Sequence, residues 1–156
     1  MSNGCSIKVA NEAAMLALGA ELSRLCHLGD MIFLKGELGA GKTTLTRGFL
    51  RGLGYMGLVK SPTYALVESY QVSDKQIYHF DLYRLSSAED LFDIGIEDYL
   101  EQSVIILVEW PERGQGVLPE PSLICEISLQ DNGRLVKLIS SCAQGKAIIA
   151  TLALKY

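Results

Sequence analysis

The stretch GELGAGKTT, Gly36 to Thr44, narrows the choice of fold more than any other part of the chain. It fits G-x-x-x-x-G-K-[ST] from Gly36 to Thr43, with the apolar run DMIFLK before it. The segment after it, KTTLTRGFLRGLG, has Leu45, Phe49 and Leu53 spaced by four, a helical pattern. A strand, a glycine-rich turn and a helix in that order form a phosphate cradle. The residue types suit that chemistry. Gly36, Gly39 and Gly41 let the backbone fold tightly with its N–H groups turned inward, and the helix beginning near Lys42 aims its positive end at the same place. Lys42 supplies a point charge for β- and γ-phosphates, and the Thr43 hydroxyl is suited to ligate Mg²⁺. The expected binding set is Gly36, Glu37, Leu38, Gly39, Ala40, Gly41, Lys42, Thr43 and Thr44, and the expected cofactors are ATP and Mg²⁺. The plain alternative is a glycine-rich turn beside a solvated lysine.

The rest of the chain agrees with an α/β domain. CSIKVA reads as a first strand, followed by a helix with Asn11 as N-cap, Ala14, Leu18, Leu22 and Leu25 on one face, and Gly29 as its expected C-cap. YALVESYQV and QIYHFDLYRL read as strands joined by a hairpin turn at SDK. Ser86 and Glu89 stand at capping-box spacing before a short helix. VIILV, Val104 to Val108, is apolar without alternation, as in a strand buried on both faces. SLICEISLQ and RLVKLISS flank DNG as a second hairpin, and GKAIIATLALKY reads as a final helix. The expected fold class is α/β: a P-loop NTPase-like three-layer domain, residues 1–156, with a mixed, mostly parallel central sheet and antiparallel hairpins.

Composition limits what such a domain does. With 156 residues, 49% hydrophobic and 21% charged, the chain is long enough for a real core. No apolar run approaches the roughly 18 residues of a membrane helix, and the N-terminus has no basic head followed by an apolar block, so neither membrane insertion nor secretion is expected. Cys5, Cys26, Cys125 and Cys142 form no C-x-x-C pair and read as small buried hydrophobes in a reducing cytoplasm. The net charge of −4 lacks the basic excess of a protein that grips nucleic acid alone.

Four further residues stand out, each with two readings. Glu109 follows the five apolar residues Val104 to Val108. At the carboxyl end of such a strand it occupies the place of the acidic Mg²⁺ partner of a P-loop; its other reading is a rim glutamate. Asp81 shares a face with Ile77, His79 and Tyr83 by strand alternation. It is either salt-bridged to Arg84 or a nearby lysine, or a second carboxylate near the metal. Thr63, in KSPTY, is either part of a plain turn or a switch-like hydroxyl for the γ-phosphate or Mg²⁺. Trp110 stands where many ATPases carry a catalytic glutamate, so hydrolysis by the isolated chain is expected to be slow. It is either core packing or an interface anchor. No N-K-x-D segment marks a guanine site, and PERGQG has one arginine and no arginine-rich lid of the kind kinases carry.

Taken together, GELGAGKTT, SPTY, HFDLYRL and VEWPERG, in this order and over Gly36 to about Gly114, resemble the bacterial TsaE (YjeE) family. That resemblance implies a small P-loop ATPase required for threonylcarbamoyl modification of the adenosine beside the anticodon of certain tRNAs, working with the TsaD and TsaB proteins. It implies that Thr43 and Glu109 hold Mg²⁺, that Thr63 lies in a switch-like segment, and that Asp81 and Trp110 matter for activity or for the partner interface. Asn11 and Arg134 are candidate adenine contacts by position. The tRNA would be held mainly by the partners. Lys42, Thr63, Asp81 and Glu109 form the expected catalytic set. Two rivals remain: a small-molecule or nucleotide kinase, and a nucleotide-dependent switch without turnover.

Overall fold

The computed structural model describes residues 4–62 and 64–156. The strands are β1 (Gly4–Val9), β2 (Met31–Lys35), β3 (Val67–Val72), β4 (Lys75–Asp81), β5 (Ile105–Glu109), β6 (Leu123–Gln130) and β7 (Gly133–Ile139). The helices are α1 (Glu12–Leu25), α2 (Lys42–Leu53), α3 (Asp90–Asp93), α4 (Ile96–Glu101) and α5 (Ala143–Ala153). The strands form one sheet in the order β1-β7-β6-β2-β5-β4-β3. The four central strands β6, β2, β5 and β4 are mutually parallel, and the outer pairings β1–β7, β6–β7 and β3–β4 are antiparallel. The sheet is thus mixed, with its parallel part at the centre.

Strand alternation divides the core into two layers. Ile77, Ile105 and Leu107 pack with Leu18 of α1, Phe49 of α2 and Leu152 of α5. Phe80, Ile106 and Val108 pack instead with Leu91 of α3 and Ile96 of α4. The same parity carries His79, Asp81 and Glu109 on the face that α2 covers. Register then sets them side by side: Glu109 pairs with Leu34 of β2 and with Asp81 of β4. The ends of three adjacent parallel strands therefore converge where the Gly36–Thr44 loop begins, as the open α/β sheet rule requires.

α1 and α2 meet backbone to backbone. A Cβ on Gly19 would stand 2.3 Å from the Leu45 carbonyl oxygen, and one on Gly48 would stand 2.2 Å from that of Leu16. Both are buried. Glycine is needed here because any side chain would push the helices apart.

Several boundaries differ from the sequence reading. β3 starts at Val67 rather than Tyr64, because Leu66 takes a left-handed φ of 71° and donates its N–H to the Pro62 carbonyl. β4 stops at Asp81, whose carboxylate accepts the Tyr83 N–H at 3.0 Å and turns the chain out of the sheet. Gly29 does not cap α1, which ends on Cys26. It takes a φ of 101° and donates to the Val104 carbonyl at 2.7 Å, pinning the corner that leads to β2. The expected Ser86–Glu89 capping box does not form: Glu89 is itself the N-cap of α3 and makes no side-chain cap, while the Ser87 N–H donates to the Asp90 carboxylate at 3.2 Å. The last segment is a helix, as expected, but it starts at Ala143, where the Cys142 sulfur caps it. All four cysteines are free. Cys26 and Cys125 are buried, and Cys5 and Cys142 are half-buried.

Candidate functional site

The Gly36–Thr44 loop runs from the end of β2 into the first turn of α2. Gly39 and Gly41 have φ of 80° and 118°, conformations that side chains resist, and Gly41 is the N-cap of α2. Gly41 makes no side-chain cap, so the first-turn N–H groups of α2 are left for an anion, which that helix end attracts. The Arg134 guanidinium on β7 braces the loop from behind, its Nε donating to the Ala40 carbonyl at 2.9 Å.

Lys42 is buried against this loop. Its Nζ donates to the carbonyls of Gly36 at 2.5 Å and Glu37 at 2.9 Å, and lies 4.8 Å from the centre of the Trp110 ring. Burial lowers the Lys42 pKa from its ordinary value, while the negative charges of Glu109, Asp81, Glu112 and Glu37 act in the opposite sense. The Thr43 hydroxyl donates to Glu109 Oε2 at 3.4 Å. Glu109 is only 4% exposed. A carboxylate that buried is costly without a cation or donors, and the long Thr43–Glu109 contact leaves their oxygens able to share one. Among the described residues, no group of three His, Cys, Asp or Glu side chains gathers as a metal cage. The pair suits a hard cation that draws its remaining ligands from phosphate and water.

Asp81, 4% exposed, joins Lys42, Thr43, Ser61, Glu109 and Trp110 around a cavity of about 230 Å³. Arg84, its sequence-based candidate partner, stacks on Tyr64 with 4.4 Å from guanidinium carbon to ring centre. Trp110 adopts a φ of 56°, rare for a bulky side chain. It is held by Lys42 on its face and by the Tyr83 ring at 5.0 Å. Trp110 also packs against the layer of α3 and α4, half-buried. Asn11 and Arg134 line a second cavity of about 400 Å³ on the other side of Gly39–Gly41, together with Thr44. Asn11 uses its side-chain oxygen to cap α1 through the Ala14 N–H at 2.9 Å. Thr63 lies outside the described residues. Thus Lys42, Thr43, Asp81, Glu109 and Trp110 come together, and Asn11 and Arg134 stand across the loop from them. Sequence reasoning did not single out His79, whose Nε2 is 2.7 Å from Glu109 Oε2. Its signal was visible: it shares a strand face with Asp81, two residues before it.

A glycine-rich phosphate loop between a central parallel strand and a helix, with a buried acid at the end of the neighbouring strand, defines a P-loop protein of the NTPase-like α/β class. The comparisons narrow this. The model of the family described as threonylcarbamoyl adenosine biosynthesis protein TsaE matches residues 9–137. The chain is 48% identical over 147 residues to the tRNA threonylcarbamoyladenosine biosynthesis protein TsaE of Haemophilus influenzae, covering 91% of this chain and 93% of that protein. It is 45% identical over 112 residues to the protein of the same name from Streptomyces coelicolor, covering 70% and 75%. The crystal structure of Bacillus subtilis YdiB matches with a TM-score of 0.84 at 26% identity, over 99% of this chain and 97% of that one. The chain belongs to the TsaE family and has its role in tRNA threonylcarbamoyladenosine biosynthesis. No helix among the described residues is long and apolar enough to cross a membrane.

Proposed function

We propose that this chain is a cytoplasmic accessory ATPase that binds ATP with Mg²⁺ at the Gly36–Thr44 loop, hydrolyses it slowly, and serves threonylcarbamoyl transfer to tRNA together with TsaD and TsaB. The observation that carries this reading is the Thr43–Glu109 contact of 3.4 Å beside Lys42. A hydroxyl and a carboxylate at that spacing, next to a phosphate loop, would hold Mg²⁺ beside the phosphates of a bound nucleotide. The cavity beside Asn11, Arg134 and Thr44 is of a size to take the nucleoside. When bound, the metal neutralises charge developing on the phosphates. Lys42 binds them, the α2 N-terminus orients them, and Asp81 is the candidate to orient water. Trp110 replaces an adjacent base with an aromatic ring, which fits slow turnover and a contribution from the partner proteins. The net charge of −4 fits a chain that leaves most of the tRNA contact to those partners. A kinase reading is weaker: Arg113, the arginine of PERG, lies 5.8 Å from the Tyr83 ring.

The test is a reconstituted modification assay with TsaD, TsaB, tRNA and ATP, with and without this chain. Multiple turnover is expected only when the chain and ATP are both present; full multiple turnover without it rules the role out. Glu109→Gln in the same assay tests the metal site. It should bind ATP in EDTA as the wild type does, lose the Mg²⁺-dependent part of binding and fail to support turnover. Asp81→Asn keeps the oxygen that accepts the Tyr83 N–H. It should melt near the wild-type temperature yet hydrolyse ATP about 100-fold more slowly, the usual size of a lost proton-transfer or water-orienting group. A lower melting temperature with normal hydrolysis would make Asp81 a purely structural residue.

A further inference from the structure

We propose that His79 is a positioning residue that holds the Glu109 carboxylate in its metal-binding orientation through an Nε2–H donor. This rests on the ATP–Mg²⁺ reading above. His79 is 0% exposed, and its Nε2 lies 2.7 Å from Glu109 Oε2, the same oxygen that accepts from Thr43. An ionised carboxylate has no proton to give, so the proton of that short contact sits on Nε2. Nδ1 is buried and has no hydrogen-bond partner among the described residues. A proton moved there from Nε2 would leave an unpaired buried donor and strip the Glu109 contact of its proton; a bare lone pair is the smaller penalty. The geometry therefore selects one tautomer.

The positioning is needed because the terminal torsion of a glutamate is broad and soft. Thr43 alone, at 3.4 Å, restrains it weakly. β4 and β5 are hydrogen-bonded neighbours in which His79 pairs with Leu107, so the ring reaches Glu109 from a rigid sheet rather than from a loop. Carboxylates that ligate metals are commonly fixed by such outer hydrogen bonds, and losing one lowers metal affinity about 10- to 100-fold.

Two measurements test this. The chain has two histidines, His27 and His79, so long-range proton–nitrogen correlation spectra of labelled protein can be assigned with a single His27→Gln control. His79 is expected to carry a proton on Nε2; a ring with a bare Nε2 overturns the proposal. Second, ATP affinity is measured by calorimetry in EDTA and across a Mg²⁺ titration, with Mn²⁺ binding followed by electron paramagnetic resonance. His79→Leu should leave affinity in EDTA unchanged and raise the Mg²⁺ and Mn²⁺ concentrations for half-effect about tenfold. His79→Gln, whose amide carries an N–H at similar reach, should recover most of that loss. Equal metal dependence in all three proteins, or a Gln variant as impaired as the Leu variant, overturns the positioning role. If the Leu variant does not fold, the Gln variant and the tautomer decide. A wild type that binds ATP without Mg²⁺ dependence overturns the ATP–Mg²⁺ reading as well, whereas Mg²⁺-dependent binding indifferent to His79 overturns only this one.

Discussion

Lys42→Ala is expected to weaken ATP binding about 100-fold and to reduce hydrolysis at least as much. Hydrogen bonds from an ammonium to a charged acceptor contribute roughly 1.5–3 kcal/mol, and about 1.4 kcal/mol corresponds to a factor of ten. The upper part of that range applies because Lys42 is only 5% exposed, so water screens the contact poorly. Trp110 offers a direct readout. It is the single tryptophan of the chain and has the Lys42 ammonium 4.8 Å from its ring centre. Nucleotide that draws the ammonium away should change its fluorescence in the wild type, and the Ala variant should show an altered starting signal with no such response. Removing Lys42 also frees the Gly36 and Glu37 carbonyls, which stay within reach of solvent at the loop, so the melting temperature should fall only slightly. Unchanged ATP affinity in the variant would exclude a working phosphate cradle.

Gly48→Ala is expected to destabilise the protein by about 2 kcal/mol, against the intrinsic preference of helices. Alanine in place of glycine inside a helix ordinarily stabilises by roughly 1 kcal/mol. At Gly48 the new Cβ would stand 2.2 Å from the Leu16 carbonyl oxygen and 2.7 Å from its Cα, distances that real Cβ atoms essentially never show. The clash is with the Leu16 backbone, so no side chain can swing away to relieve it, and the helices must separate. Overpacking of this kind costs about 1–3 kcal/mol or more, and the loosened contact between α1 and α2 outweighs the propensity gain. Urea unfolding should show a lower midpoint with little change in slope. Stability equal to or above that of the wild type would mean that the two helices are not in backbone contact. Because α2 begins at Lys42, the same variant should also weaken ATP binding, though by less than Lys42→Ala.

The amino-acid sequence alone determined those features that depend on local chemistry. Glycines at Gly36, Gly39 and Gly41, followed by Lys42 and Thr43, specify a phosphate loop because only that spacing frees the backbone N–H groups and adds a cation and a hydroxyl. Five apolar residues before Glu109 specify a central strand ending in an acid, since nothing else accommodates that run beside one carboxylate. The motifs from Gly36 to Gly114 also pointed to the TsaE family, to which the chain belongs. Tertiary structure decided what depends on neighbours distant in sequence. That His79 faces Glu109 follows from the parallel register of β4 and β5, two strands separated by α3 and α4, and no local pattern encodes register between such strands. The end of β4 at Asp81 and the corner at Gly29 were misjudged for the same reason. Each is set by a hydrogen bond or turn that competes with continued strand or helix: the Asp81 carboxylate taking the Tyr83 N–H, and the Val104 carbonyl taking that of Gly29. Gly19 and Gly48 carry no local signal in the sequence, and only the approach of α1 to α2 makes a side chain at either one impossible to place.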